Sequence, residues 1–206
     1  MDDRLIENKA YRVILLGVIE IIGENGLKSI LNFSGLKKYI NNLPPNDDKK
    51  ETRISEVAKL SQGIEEVYGA NGARAILFQV GRMQAKWGLE ENAEIAQQAQ
   101  ASMTGMSESE RAGVILNYTA VTIAQQLDTE TWVEKEGEAY LYKDKAATHC
   151  FNRKSPSPVC HTTTGFLSGL VAWAVGGGGW DVEETECMAM GRPCCTYRIS
   201  RSGVGA

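Results

Sequence analysis

"EETECMAMGRPCC", residues 183–195, places three of the chain's five cysteines beside three acids in thirteen residues. Its reading as a hairpin decides the fold. Gly191 is the natural turn, with "WDVEETECMAM" running in and "CCTYRIS" running out. Centred there, the hairpin sets Cys187 opposite Cys195, at the spacing of an antiparallel pair. That spacing suits two ligands of one metal and also a disulfide. Cys194 then points to the other face. A disulfide calls for an oxidising compartment, which nothing in the sequence supports.

Before the hairpin lies "HTTTGFLSGLVAWAV" (161–175), apolar and rich in small residues, a buried helix that the glycine run 176–179 ends. Cys160 stands just ahead of it, after "SPSPV". Further back, "TWVEKEGEAYLYKDKAATHCF" (131–151) alternates and is rich in Trp, Tyr, Val and Thr. It reads as two strands with a turn at Glu136–Gly137 or Lys143–Lys145. The last part of the chain is therefore strand, strand, helix, strand, strand.

The rest is helical. Residues 107–127 form a helix capped by Ser107, with Glu110 completing a capping box. Tyr11, Ile14, Leu15, Val18, Ile21 and Ile22 recur at helical spacing, and another helical stretch runs from Ile54 to Tyr68. The segment "NNLPPNDDKKETR" (41–53) reads as a surface loop. "IIGENGLKSIL" (21–31) and "VYGANGARAIL" (67–77) repeat one pattern, 46 residues apart. Each is expected to end a helix at Gly23 or Gly69 in the left-handed conformation, with Asn25 or Asn71 capping the next. The expected organisation is a single domain, 1–206: a helical half (1–127) with a pseudo-repeat, and a core (128–206) carrying the metal hairpin.

The formal net charge is −4, with no basic stripe, which argues against nucleic acid as a partner. The N-terminus, "MDDRLIENKAYR", lacks the apolar core of a signal peptide. The uncharged stretch Ser155–Trp180 is broken by prolines, threonines and glycines, and its apolar part, Phe166–Val175, is too short to span a membrane. A cytoplasmic protein is expected, and clustered cysteines there read first as metal ligands. Zinc takes four ligands from Cys, His or carboxylate. Cys160, Cys187 and Cys195 are three candidates. Spacing leaves the fourth open among Glu183, Glu184, Glu186, His161 and His149. Glu184 and Cys187 would face opposite sides of an ideal strand, so Glu184 needs a bulge or a strand end to take part.

Pro158-Val159-Cys160, then Gly165-Phe166, then Glu184-x-x-Cys187-x-Ala189-Met190-Gly191-x-x-x-Cys195 resemble the 4-vinyl reductase (V4R) domain family. The similarity is strongest to the sensor domains of phenol-responsive activators. It covers about the last 50 residues closely. The chain departs from the pattern by adding Cys150 and Cys194, and by His161 where the sensors have an aromatic. The resemblance implies an α+β fold like that of a vesicle-tethering subunit: a helical half packed on a four-stranded antiparallel sheet, often dimeric. It implies a structural zinc ion on Cys160, Glu184, Cys187 and Cys195, closed to water by its four protein ligands. Such a site carries excess negative charge. Backbone N–H groups of the turn, Arg192 or Arg198 are candidates to offset it. The resemblance also implies an apolar cavity for a small hydrocarbon, aromatic or tetrapyrrole-precursor ligand. Tyr118, Trp132, Tyr140, Tyr142, Phe166 and Trp173 are its candidate walls. A homodimer and a sensor or carrier role are expected. The alternatives are a vinyl reductase or its accessory subunit, and a dimeric scaffold. The sequence has no G-x-G-x-x-G after a strand and no P-loop, so a binding protein is favoured over an enzyme.

Overall fold

The computed structural model describes residues 2–203. Its elements are β1 (Leu5–Glu7), α1 (Asn8–Phe33), a 3-10 turn (Lys37–Tyr39), β2 (Lys50–Arg53), α2 (Ile54–Glu91), α3 (Ala93–Ser102) and α4 (Glu108–Leu127). They continue with β3 (Thr131–Glu136), β4 (Ala139–Asp144), α5 (His161–Val175), β5 (Trp180–Glu186), a 3-10 turn (Met188–Met190) and β6 (Cys195–Arg201). The fold is α+β: a helical N-terminal half against a four-stranded antiparallel sheet of order β3-β4-β6-β5.

The repeat is a structural one. Each copy is a short strand followed by a helix that kinks at a glycine. The strands β1 and β2 pair antiparallel with each other. The expected loop 41–53 thus ends in a strand, Lys50–Arg53, because its backbone pairs with Leu5–Glu7. The kinks are alike: Gly23 has φ 75 and ψ 165, Gly69 has φ 73 and ψ 168. These are not left-handed helical values but the extended positive-φ region open almost only to glycine. Each helix resumes at once beyond its kink. Asn25 and Asn71 are exposed, and their side chains make no hydrogen bond among the described residues. The expected caps are therefore replaced by a glycine kink. Helix packing also repeats with partners exchanged. Gly17 of α1 lies against Val80 of α2, and its counterpart Gly63 lies against Ile30 of α1 and Ser34 just past its end.

The α4 N-terminus carries the expected box, the Ser107 hydroxyl accepting from the Glu110 N–H while the Glu110 carboxylate accepts from the Ser107 N–H. In the sheet, Tyr140 pairs with Ile199, Tyr142 with Tyr197 and Asp144 with Cys195. Every one of these six residues is buried. Tyr142 and Tyr197 meet edge to face, ring centres 6.1 Å apart. The β3–β4 turn falls at Gly137, the first of the two expected places.

Two hydrophobic cores result. One lies between α1 and α2 and takes in Phe151; the other lies between the sheet, α4 and α5. They meet where α2 crosses α5, glycine facing backbone on both sides. A Cβ on Gly81 would run into the Thr162 carbonyl, and one on Gly165 into the Phe78 carbonyl. This contact fixes α5, and so Cys160 at its start and Phe166 on its first turns. Among the described residues, no helix is long and apolar enough to cross a membrane.

Candidate metal centre and ligand cavity

The β5–β6 hairpin brings two cysteines together. Glu186 pairs with Thr196, which leaves Cys187 and Cys195 facing one another just beyond the ladder. Their sulfurs are 3.8 Å apart. Between Glu184 and Glu186 the register slips by a residue at Thr185. This bulge turns Glu184 to the same buried side as Cys187, across a spacing that a regular strand would split between faces. Cys160, ahead of α5, donates its backbone N–H to Glu184 Oε2 at 2.7 Å. Its sulfur lies 3.8 Å from both Cys187 and Cys195. The fourth sulfur belongs to Cys150, in the loop between β4 and α5, 3.6 Å from Cys195.

Cys150, Cys160, Cys187 and Cys195 are all buried, with their sulfurs within 4.8 Å of one another. They could hold a metal ion. Four sulfurs about 2.3 Å from a tetrahedral centre would be about 3.8 Å apart, so these separations match that geometry. All five cysteines are free thiols, spaced too widely for an S–S bond of about 2.0 Å. Cys194 stands apart, its sulfur 3.7 Å from the Thr196 hydroxyl.

The electrostatics favour a cation here. The Cys187 thiol is held far below its usual range by hydrogen bonds from Cys150, Cys160 and Cys195, whereas the Cys160 and Cys195 thiols are pushed up by the same crowding and by burial. Without a cation the group thus tolerates little negative charge. Burial, and then Cys187, push the Glu184 carboxyl up to about 9. Its Oε1 is buried with no hydrogen-bond partner. Neither candidate arginine relieves this: Arg192 pairs with Glu186 and Arg198 with Glu136. The Met188 N–H approaches Cys195 Sγ at 3.4 Å.

Of the residues singled out in the sequence, Cys160, Cys187 and Cys195 fall in the sulfur group and Glu184 lies beside it. Glu183 is exposed, and Glu186 accepts from the Thr196 hydroxyl. His149 is buried, its Nδ1 3.1 Å from the Ser61 hydroxyl, and burial lowers its pKa to about 3. His161 is lowered too, chiefly by burial. Cys150 had no family position to mark it; its only signal was an extra buried-type thiol ten residues before Cys160.

A cavity of about 470 Å³ opens between α2, α3, α4 and α5. Leu89, Met103, Ile115 and Leu170 form its floor and sides, with Phe166 and Trp173 from α5. Tyr118 stands at its mouth, 58% exposed. These are three of the six expected wall residues. The other three lie elsewhere. Trp132 pairs with Lys143, one residue out of step with Tyr142, and so sits on the outer face of the sheet. There its indole donates to Glu134. Tyr140 is in the core with its hydroxyl donating to the Ser109 carbonyl. Tyr142 borders a separate space of about 150 Å³, which Phe166 also lines.

The V4R domain family model matches residues 144–201, the span that holds every cysteine, α5 and the β5–β6 hairpin. Solved structures of similar fold extend the likeness to the whole chain. An H-NOX protein from S. oneidensis in the Fe(II)NO state is 12% identical over 95% of this chain and 99% of its own, with a TM-score of 0.61. An H-NOX structure from work on heme distortion in that family is 13% identical over 96% and 95%, with a TM-score of 0.63. The phenol-responsive sensory domain of the transcription activator PoxR, with phenol, is 17% identical over 74% and 78%, with a TM-score of 0.49. No curated protein matches the chain. At these identities the H-NOX structures speak to fold alone.

Proposed function

We propose that this chain is a small-molecule-binding protein, a sensor or carrier, whose cavity takes an apolar or aromatic ligand and whose cysteine group holds a structural zinc ion. The observation that carries the reading is the cavity. Its volume of about 470 Å³ and its apolar, aromatic wall are those of an ordinary ligand site. Hydrocarbons, aromatics and tetrapyrrole precursors are the candidate class. Neither histidine lines this cavity, so its wall offers no imidazole to ligate a haem iron.

Zinc is the metal that four thiolates in a tetrahedron suit best. The ligand set is Cys150, Cys160, Cys187 and Cys195, with Glu184 adjoining. Glu184 in place of Cys150 is the set implied by the V4R resemblance. With four protein ligands the ion leaves no place for water and acts as a staple, tying the hairpin to the start of α5 and to the loop before it. A cytoplasmic location is part of the proposal, supported by the free thiols. A homodimer is part of the proposal. Val114, Tyr118 and Val121 form an exposed apolar stripe one helical turn apart along α4.

The test uses the neutral fluorescent probe N-phenyl-1-naphthylamine. The wild-type chain is expected to bind it saturably and 1:1, and Ala99→Trp, which fills the cavity from α3, to weaken it roughly tenfold or more. Far-UV circular dichroism should stay unchanged. No saturable binding, or equal binding by the filled variant, would sink the cavity reading.

A further inference from the structure

A second opening, of about 500 Å³, lies on the other side of α3. Leu89, Ala96 and Trp173 line both it and the apolar cavity, so the two spaces share a wall of three side chains. The outer space is lined by charged side chains and the inner one by none. Arg82 and Lys86 line it from α2, a turn apart and therefore on one face. Gln97 and Gln100 line it from α3, and Glu90 is its single carboxylate. Among the described residues Arg82 makes no ion pair and no side-chain hydrogen bond. Lys86 has only Glu90, at 3.9 Å.

Two neighbouring cations in a space that adjoins an apolar cavity repel each other and are matched by a single acid. A neutral hydrocarbon would leave both unused. We propose that the ligand is an amphiphilic monoanion, its apolar body in the α2–α5 cavity and its carboxylate on Arg82 and Lys86. This rests on the cavity reading above. Arg82 supplies the planar fork that grips a carboxylate with two N–H groups, and Lys86 adds a point charge beside it. The two glutamine amides offer further N–H donors. Trp173, at the partition, meets the junction of chain and head group.

The test compares decanoate with 1-decanol, which share one chain and differ in charge, by displacement of N-phenyl-1-naphthylamine from the full chain. Wild type is expected to prefer decanoate about tenfold or more, as for a charge-assisted contact. That preference should shrink as salt is added. Arg82→Gln combined with Lys86→Gln should bind the acid and the alcohol equally, and should keep the wild-type affinity for the neutral probe and for decanol. Equal binding of acid and alcohol by wild type, or a preference that survives in the double variant, overturns the head-group assignment and leaves the cavity intact. Failure of the neutral probe itself overturns the cavity reading and this proposal with it.

Discussion

Cys150 and Glu184 divide the metal centre between geometry and resemblance. Glu184 is the residue a motif can find, because it lies three places before Cys187 in a fixed pattern. Its part depends on the Thr185 bulge, which sequence spacing requires but cannot place. Cys150 is the residue that only three dimensions find. Its loop has no periodicity, and its sulfur reaches Cys195 through the way the chain turns after β4. The two residues make opposite predictions. In the four-thiolate site, Cys150→Ala loses the metal. Glu184→Gln keeps a single equivalent of zinc, with affinity lower by about 10- to 100-fold, the usual effect of removing a group that orients a ligand. Metal content of the purified variants checks this. Zinc kept by the Cys150 variant and lost by the Glu184 variant would make the carboxylate the fourth ligand.

At the scale of elements, most boundaries were legible. The α5 span 161–175, the Ser107 cap and the start of α2 at Ile54 all follow from local chemistry, which neighbouring structure does not override. What local chemistry misread was the pair of kinks. The sequence pattern marks Gly23 and Gly69 as breaks, but whether a glycine ends a helix or bends it depends on the packing beyond it. Strand β2 was missed for a related reason: its partner is a three-residue strand at the far end of α1. The Gly165–Phe166 pair, known first as a pattern, now has two separate causes. Phe166 walls the cavity, and Gly165 lets α5 touch the backbone of α2. Gly165→Ala forces a Cβ into the Phe78 carbonyl and is expected to cost about 3 kcal/mol, the upper range of overpacking. Gly88→Ala, in the same α2 but with open space at its Cβ, is the control. It should be neutral or stabilise by about 0.5–1 kcal/mol. Urea unfolding of both variants checks the contrast, and equal effects would refute the crossing as the point of close contact.

For the molecule as a whole, the order of strands and helix along the last part of the chain and the helical half were readable because alternation and helical period are strong and separate signals. The cavity was half readable. Aromatic residues on strands and helices announce a core, but which face they occupy depends on register, and that moved Trp132 outside and Tyr140 and Tyr142 into the packing. Arg82 and Lys86 carried no sequence signal at all, since exposed cations on a helix are ordinary. The two halves are linked through α5: it lines the cavity with Phe166 and Trp173, and it starts at Cys160 in the sulfur group. The cavity and the sulfur group therefore bear on the same helix from two ends. Native mass spectrometry of the full chain, purified without chelator and then given decanoate, tests both together. The expected spectrum shows the chain with a single zinc that is lost on acid denaturation, and a saturable single adduct of decanoate on the zinc-bound form. A chain without metal that takes no adduct, or takes many without saturation, would contradict a stapled ligand-binding fold.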